Sequence, residues 1–192
     1  MNRLRTSLLS YLLPVIAVIV VALGYAQYVH ASSSQQLYLC KFKYALCTSA
    51  RCVPKPNDPS TAICYCDLEK GPSMSSVPCN TLLPRLNTVY STFSFIQFEQ
   101  GLKSMVCPSG NPWTNCLNKI CSVDPHNPFK VTCLCSVIRT GQFTTAGGNC
   151  DTSTCPTAYW SGSTLPAYFQ GLQFLSNALH LKESPAKFCP TI

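Results

Sequence analysis

Fourteen cysteines in 192 residues, set out as one pattern written twice, constrain this chain more than any other feature. Cys47, Cys52, Cys64 and Cys66 recur at Cys116, Cys121, Cys133 and Cys135, each displaced by 69 positions. Four coincidences at a single offset mark an internal repeat. Cys40 and Cys107 extend it at an offset of 67, Cys79 and Cys150 at 71, and Pro56 and Pro59 return as Pro125 and Pro128. An aromatic tail belongs to the unit, because Tyr90-Ser91 returns as Trp160-Ser161 and Gln100-Gly101-Leu102 as Gln170-Gly171-Leu172. The expected organisation is therefore repeat one over 40–106, repeat two over 107–176 and a tail over 177–192. Cys155 and Cys189 have no counterpart in the first copy, so the simplest accounting pairs them and ties the tail back. Within each six-cysteine set, 15 connectivities are open and spacing alone does not choose among them.

The redox compartment follows from the other end of the chain. Arg3 and Arg5 precede an almost wholly apolar run over residues 8–26, and a polar stretch over 32–39 follows. A run of this length lies between a signal-peptide core and a spanning helix. Two outcomes stay open: a leader cleaved after Val29-His30-Ala31, or a retained anchor. In both, the basic end stays inside and everything after Ala31 is exported, to a periplasmic, extracellular or membrane-anchored position facing away from the cytoplasm. Every cysteine lies in that exported part, and an even number in an oxidising compartment reads as disulfides.

Composition narrows the partners. Charged residues make up only 11% of the chain, and the net charge of +7 falls to +5 once Arg3 and Arg5 are set aside with the leader. No Lys/Arg-rich run occurs, so a nucleic-acid partner is not expected. The partner class left is a protein or envelope component, with the membrane itself engaged through residues 8–26 if the leader is kept.

Local patterns predict a small, disulfide-rich, mainly β fold with short strands and turns, an N-terminal hydrophobic helix and a C-terminal helix. Turn residues crowd the middle of each knot, Pro54 to Pro59 in the first and Asp124 to Pro128 in the second. Thr61 to Cys66 and Lys130 to Cys135 alternate like strands, which sends both sulfurs of each Cys-x-Cys to one face. The crowded aromatics Tyr90, Phe93, Phe95, Ile96 and Phe98 read as strand. Tyr168, Leu172, Leu175 and Leu179 recur at helical intervals after Pro166, predicting a helix over 167–181.

In order, copy one reads Cys40-x6-Cys47-x4-Cys52-x11-Cys64-x-Cys66-x12-Cys79 and copy two Cys107-x8-Cys116-x4-Cys121-x11-Cys133-x-Cys135-x14-Cys150. This spacing resembles an EGF-like module, twice. The resemblance covers only the knots and implies pairings Cys40–Cys52, Cys47–Cys64, Cys66–Cys79, Cys107–Cys121, Cys116–Cys133 and Cys135–Cys150. The calcium-binding Asp/Asn cluster of that family is absent before Cys40 and Cys107, so no metal is carried over.

Residues that could carry chemistry are few. Cys64-x-Cys66 and Cys133-x-Cys135 could in principle serve thiol–disulfide exchange or hold zinc. General acid/base work needs His or paired carboxylates, and the exported part has only His126, in a Pro-Asn turn, His180, near a helix end, and seven scattered acids with no pairing pattern. No catalytic residue, metal or cofactor is assigned. Tyr159 and Trp160, flanked by Ser161 and Gly162, are the candidate binding surface. The leading expectation is a non-enzymatic, exported, disulfide-stapled binding or envelope-structural protein of two repeats. The alternative is a periplasmic thiol-exchange or metal-handling protein.

Overall fold

Residues 35–148, 150 and 159–189 are described by the structure, a computed structural model. The N-terminal apolar run and Cys155 lie outside the described residues. Among the described residues no helix is long and apolar enough to cross a membrane.

The chain from Gln36 onward forms one compact unit. It opens with a hairpin of two 18-residue strands, β1 (Tyr38–Lys55) and β2 (Asp58–Ser75). The turn chemistry explains its position: Asn57 takes a left-handed φ of 61°, which Asn tolerates better than most residues. Asp58 then accepts hydrogen bonds from the Ser60 amide (3.2 Å) and hydroxyl (2.7 Å). Strands this long correct the expectation of short ones. Tyr38 and Leu39, placed by sequence in a polar linker, are already in β1.

The hairpin dictates the disulfides. Cys52 stands directly opposite Cys64, and the pair is bridged with Cα atoms 4.0 Å apart. Cys47–Cys66 and Cys40–Cys79 enclose it, the last reaching a 3₁₀ turn at Cys79–Leu82. Copy two repeats the same nesting as Cys121–Cys133, Cys116–Cys135 and Cys107–Cys150. The pairings implied by the EGF-like resemblance are therefore not the ones formed. The reason is geometric: Cys40 and Cys52 share one strand, which at about 3.4 Å per residue sets them roughly 40 Å apart. Antiparallel strands reverse order, so first meets last. Cys189 has no sulfur partner among the described residues. The tail is nevertheless held, since the Ser104 amide donates to Lys187 O (2.7 Å) and the Cys189 amide to Ser104 O (2.8 Å).

Copy two is cut into shorter strands: β4 (Ser104–Cys107), β5 (Trp113–Asn115), β6 (Ile120–Val123), β7 (Lys130–Ile138) and β8 (Phe143–Ala146). Its hairpin turn rests on Asp124, whose carboxylate accepts from the His126 amide at 2.8 Å. Short strands from the aromatic tails complete the fold, β3 (Thr88–Tyr90) from copy one, β9 (Tyr159–Trp160) and β10 (Ser163–Thr164) from copy two. The larger sheet runs β3-β6-β7-β2-β1-β9 with β5 beside β7, and the smaller runs β10-β8-β4.

The two copies meet at β2 and β7, where Cys64 pairs with its own counterpart Cys133. A local two-fold axis passes through that pair, because Ala62 faces Cys135 while Cys66 faces Val131. The tails are then exchanged. Tyr90 of copy one pairs with Ile120 of copy two, and Trp160 of copy two pairs with Arg51 of copy one. The exchange continues one residue on: the Ser91 amide donates to Lys119 O and the Ser161 amide to Ala50 O. Neither copy completes its edge without the other.

The main core is cystine. Cys47, Cys52, Cys64, Cys66, Cys116, Cys121, Cys133 and Cys135 are all buried together with Ala45, Ala50, Ala62, Val89 and Val131. Cys47 and Cys133, from different bridges in different copies, lie 3.3 Å apart at Sγ. Both sulfurs are already bridged, so this is packing of one disulfide on another. A second core gathers Met74, Phe95, Phe98, Tyr168, Leu172 and Leu175 beneath two helices, the single turn α1 (Ile96–Glu99) and α2 (Leu165–Ala178). Pro166 occupies the first turn of α2 as expected, where its missing N–H is not needed. The strand expected through Phe95–Phe98 is corrected to that helical turn, which lets both phenylalanines enter the core. Gly171 belongs to the close approach of α2 to β2, since a β-carbon there would stand 3.3 Å from Met74 Cε.

Candidate functional site

The strands that carry the cysteines have two faces, and period-two alternation sorts them. Cysteines point into the cystine core. The residues between them point out: Ile63 and Tyr65 flank Cys64, Leu134 separates Cys133 from Cys135, and Ile120 precedes Cys121. Tyr65 is 59% exposed, Ile120 51% and Leu134 46%, large values for such side chains in the middle of a sheet.

Register arranges these residues in two rows across the sheet. One row is apolar, with Tyr90 opposite Ile120, and Leu134 opposite Ile63, which itself faces Val53. Cys121 opposite Cys133 brings Ile120 alongside Leu134 and closes the gap. The second row is mixed: Trp160 opposite Arg51, Arg51 opposite Tyr65, Tyr65 opposite Thr132, and Thr132 opposite Ser122. The local two-fold exchanges the rows, so Tyr90 corresponds to Trp160 and Leu134 to Tyr65. At one end of β2 and β7 Asp67 forms an ion pair with Lys130. The face is otherwise poor in charge, with Arg51 the one basic side chain in the rows.

The residues singled out by sequence fall partly on this face. Trp160 is half-buried at its edge, its ring close enough to Gly148 that a β-carbon there would stand 2.9 Å from it. Its carbonyl accepts from the Thr114 hydroxyl at 3.3 Å. Tyr159 lies half-buried against the cystine core, on the other side of the strand. His126 is exposed in its turn, and His180 is exposed just past the end of α2 with a left-handed φ of 55°. Neither imidazole is hydrogen-bonded or ion-paired to a carboxylate among the described residues; His126 meets Asp124 through its backbone amide alone.

The Cys-x-Cys sulfurs are brought together, but as bridges. Sγ atoms of Cys47, Cys121 and Cys133 lie within 4.8 Å of one another, as do those of Cys52, Cys64 and Cys116. All six are buried and disulfide-bonded, which leaves no thiolate to ligate a metal or attack a substrate disulfide. The Thr114 hydroxyl sits against one group, 3.1 Å from Cys52 Sγ.

The remaining perturbed groups are structural. Burial pushes the phenols of Tyr44 and Tyr168 up to about 12, against hydrogen bonds from Ser94 and Ser104 that pull the other way. Hydrogen bonds from Ser60 and Thr61 bring the Asp58 carboxyl down to about 2 in the hairpin turn, with a further contribution from Lys55. None of the three faces the open sheet surface.

Sequence reasoning named Trp160 and missed Tyr65, Ile63, Leu134 and Ile120. The signal was present, because any large apolar residue placed between two core cysteines on a strand must face away from them. Compared with known protein families, with curated proteins and with solved structures, the chain matches none.

Proposed function

We propose that this chain is an exported, disulfide-stapled, non-enzymatic protein whose open sheet face is a binding or assembly surface in the cell envelope or outside it. The observation that carries the reading is the set of six disulfides: twelve cysteines from both copies are committed to bridges, eight of them in the cystine core. Bridges of this number form and persist in oxidising compartments. They also make the sheet rigid, so an apolar face on it is pre-organised and loses little entropy on docking. Aromatic and aliphatic residues with one Arg and few other charges are the composition of an interface core.

Intact mass of the exported chain after alkylation under denaturing, non-reducing conditions tests this reading. The expected result is no label on the twelve cysteines of the six bridges. Label on Cys64, Cys66, Cys133 or Cys135 would favour the thiol-exchange alternative and overturn the proposal.

A further inference from the structure

We infer that the open sheet face binds a second copy of this chain, forming a face-to-face two-fold dimer. The inference rests on the reading of that face as a binding surface and names its occupant.

Three features of the face select the occupant. Its apolar row, Tyr90, Ile120, Leu134, Ile63 and Val53, crosses five adjacent strands and is exposed in the middle. A flat row of this kind is covered by another flat sheet, which packs about 10 Å away with its strands within about 30° of parallel. The register then makes the face complementary to itself. A two-fold axis about 5 Å above the open face, parallel to β2 and β7 and midway between them, lays the apolar row on the same row of the partner. Leu134 then meets the partner's Ile63, and Ile120 meets the partner's Val53.

Charge obeys the same operation. Asp67 on β2 comes over the partner's Lys130 on β7, and Lys130 over the partner's Asp67, so the two ion pairs close into a neutral group of four. Arg51 comes over the partner's Ser122, not over another cation. An isologous contact requires such self-matching, because every residue contact occurs twice. A different protein would have to supply both the apolar row and the opposed charges.

Area sets the strength. Six strands about 4.8 Å apart and seven residues of about 3.4 Å would give a footprint of about 700 Å² per chain, and the short strands β3, β6 and β9 reduce it further. A tight complex buries about 800 Å² per partner, so the expected dimer is weak and concentration-dependent.

Sedimentation velocity on the purified full chain, in detergent where the leader is retained, tests the proposal over a wide concentration range. The expected result is a monomer–dimer equilibrium that Leu134→Lys weakens at least tenfold with the far-ultraviolet spectrum unchanged. Asp67→Lys also weakens it, and adding Lys130→Asp restores it, because the exchanged charges match again. A wild-type chain that stays monomeric throughout, or a dimer indifferent to Leu134→Lys, overturns the proposal. So does a monomer that binds anionic lipid vesicles through the same leucine. Labelled core thiols would instead overturn the functional reading, so the two failures are read separately.

Discussion

Tyr44 and Tyr168 show how individual residues are committed to this fold. Each is almost fully buried, Tyr168 with its hydroxyl bonded to Ser104 and Phe93, Phe169 and Phe188 packed edge-on around its ring. Burial holds both phenols protonated up to about pH 12 in the folded chain, against about 10 when unfolded. A raised folded value means the native state keeps a proton that the unfolded state gives up. The stabilisation is complete below pH 10 and is lost as pH rises from about 10 to about 12. Absorbance at 295 nm should therefore show a late phenolate step that coincides with loss of near-ultraviolet dichroism. Tyr44→Phe and Tyr168→Phe should each remove part of that step, and an unchanged late step in both variants would contradict the assignment.

At the scale of elements, the hairpin explains the bridges and could have been read in advance. The turn at Pro56-Asn57 lies near the middle of the interval from Cys52 to Cys64, and Asn127 at the middle of that from Cys121 to Cys133. Strands leaving such turns must pair their cysteines in nested order. Cys-x-Cys alternation, both hairpin turns and helix α2 were legible because each is a local matter of period and turn chemistry. The segment from Tyr90 to Phe98 was not, because its conformation depends on which core receives it. Phe95 and Phe98 are three apart, a helical spacing that the neighbouring Phe93 and Ile96 obscured.

Gly162 tests the same level of structure. It carries the tail of copy two past β8, where a β-carbon would stand 2.7 Å from the Thr144 carbonyl oxygen and 2.9 Å from Phe143 Cδ2. Backbone cannot give way as a side-chain tip can. Gly162→Ala should cost on the order of 2 kcal/mol by overpacking, measured by denaturant unfolding of the oxidised chain. Gly171→Ala crowds the flexible end of Met74, meets Phe93 Cδ1 at an ordinary 3.6 Å and gains helix propensity, so its cost should be smaller. Equal costs would contradict the account.

The whole molecule is a duplicated unit closed on itself. Sequence gave the duplication through four cysteines at one offset, yet two separate modules and this single interlocked body have the same repeat. What distinguishes them is that β3 pairs with copy two and β9 with copy one. Those contacts join residues at least 30 positions apart and leave no periodic trace. The open face was hidden for a related reason: Tyr65 comes opposite Thr132, and Leu134 opposite Ile63, only once β2 meets β7. The folded unit thus places a shared cystine core on one side of the central sheet and an apolar, nearly uncharged surface on the other.

The nested connectivity is the claim on which the sheet, the exchange of tails and the open face all depend. Disulfide mapping by proteolysis and partial reduction at acidic pH tests it most directly. The expected bridges are Cys40–Cys79, Cys47–Cys66 and Cys52–Cys64 in copy one, with Cys107–Cys150, Cys116–Cys135 and Cys121–Cys133 in copy two. Recovery of Cys40–Cys52 or Cys66–Cys79 would contradict it, since no antiparallel hairpin with this turn can form either bond.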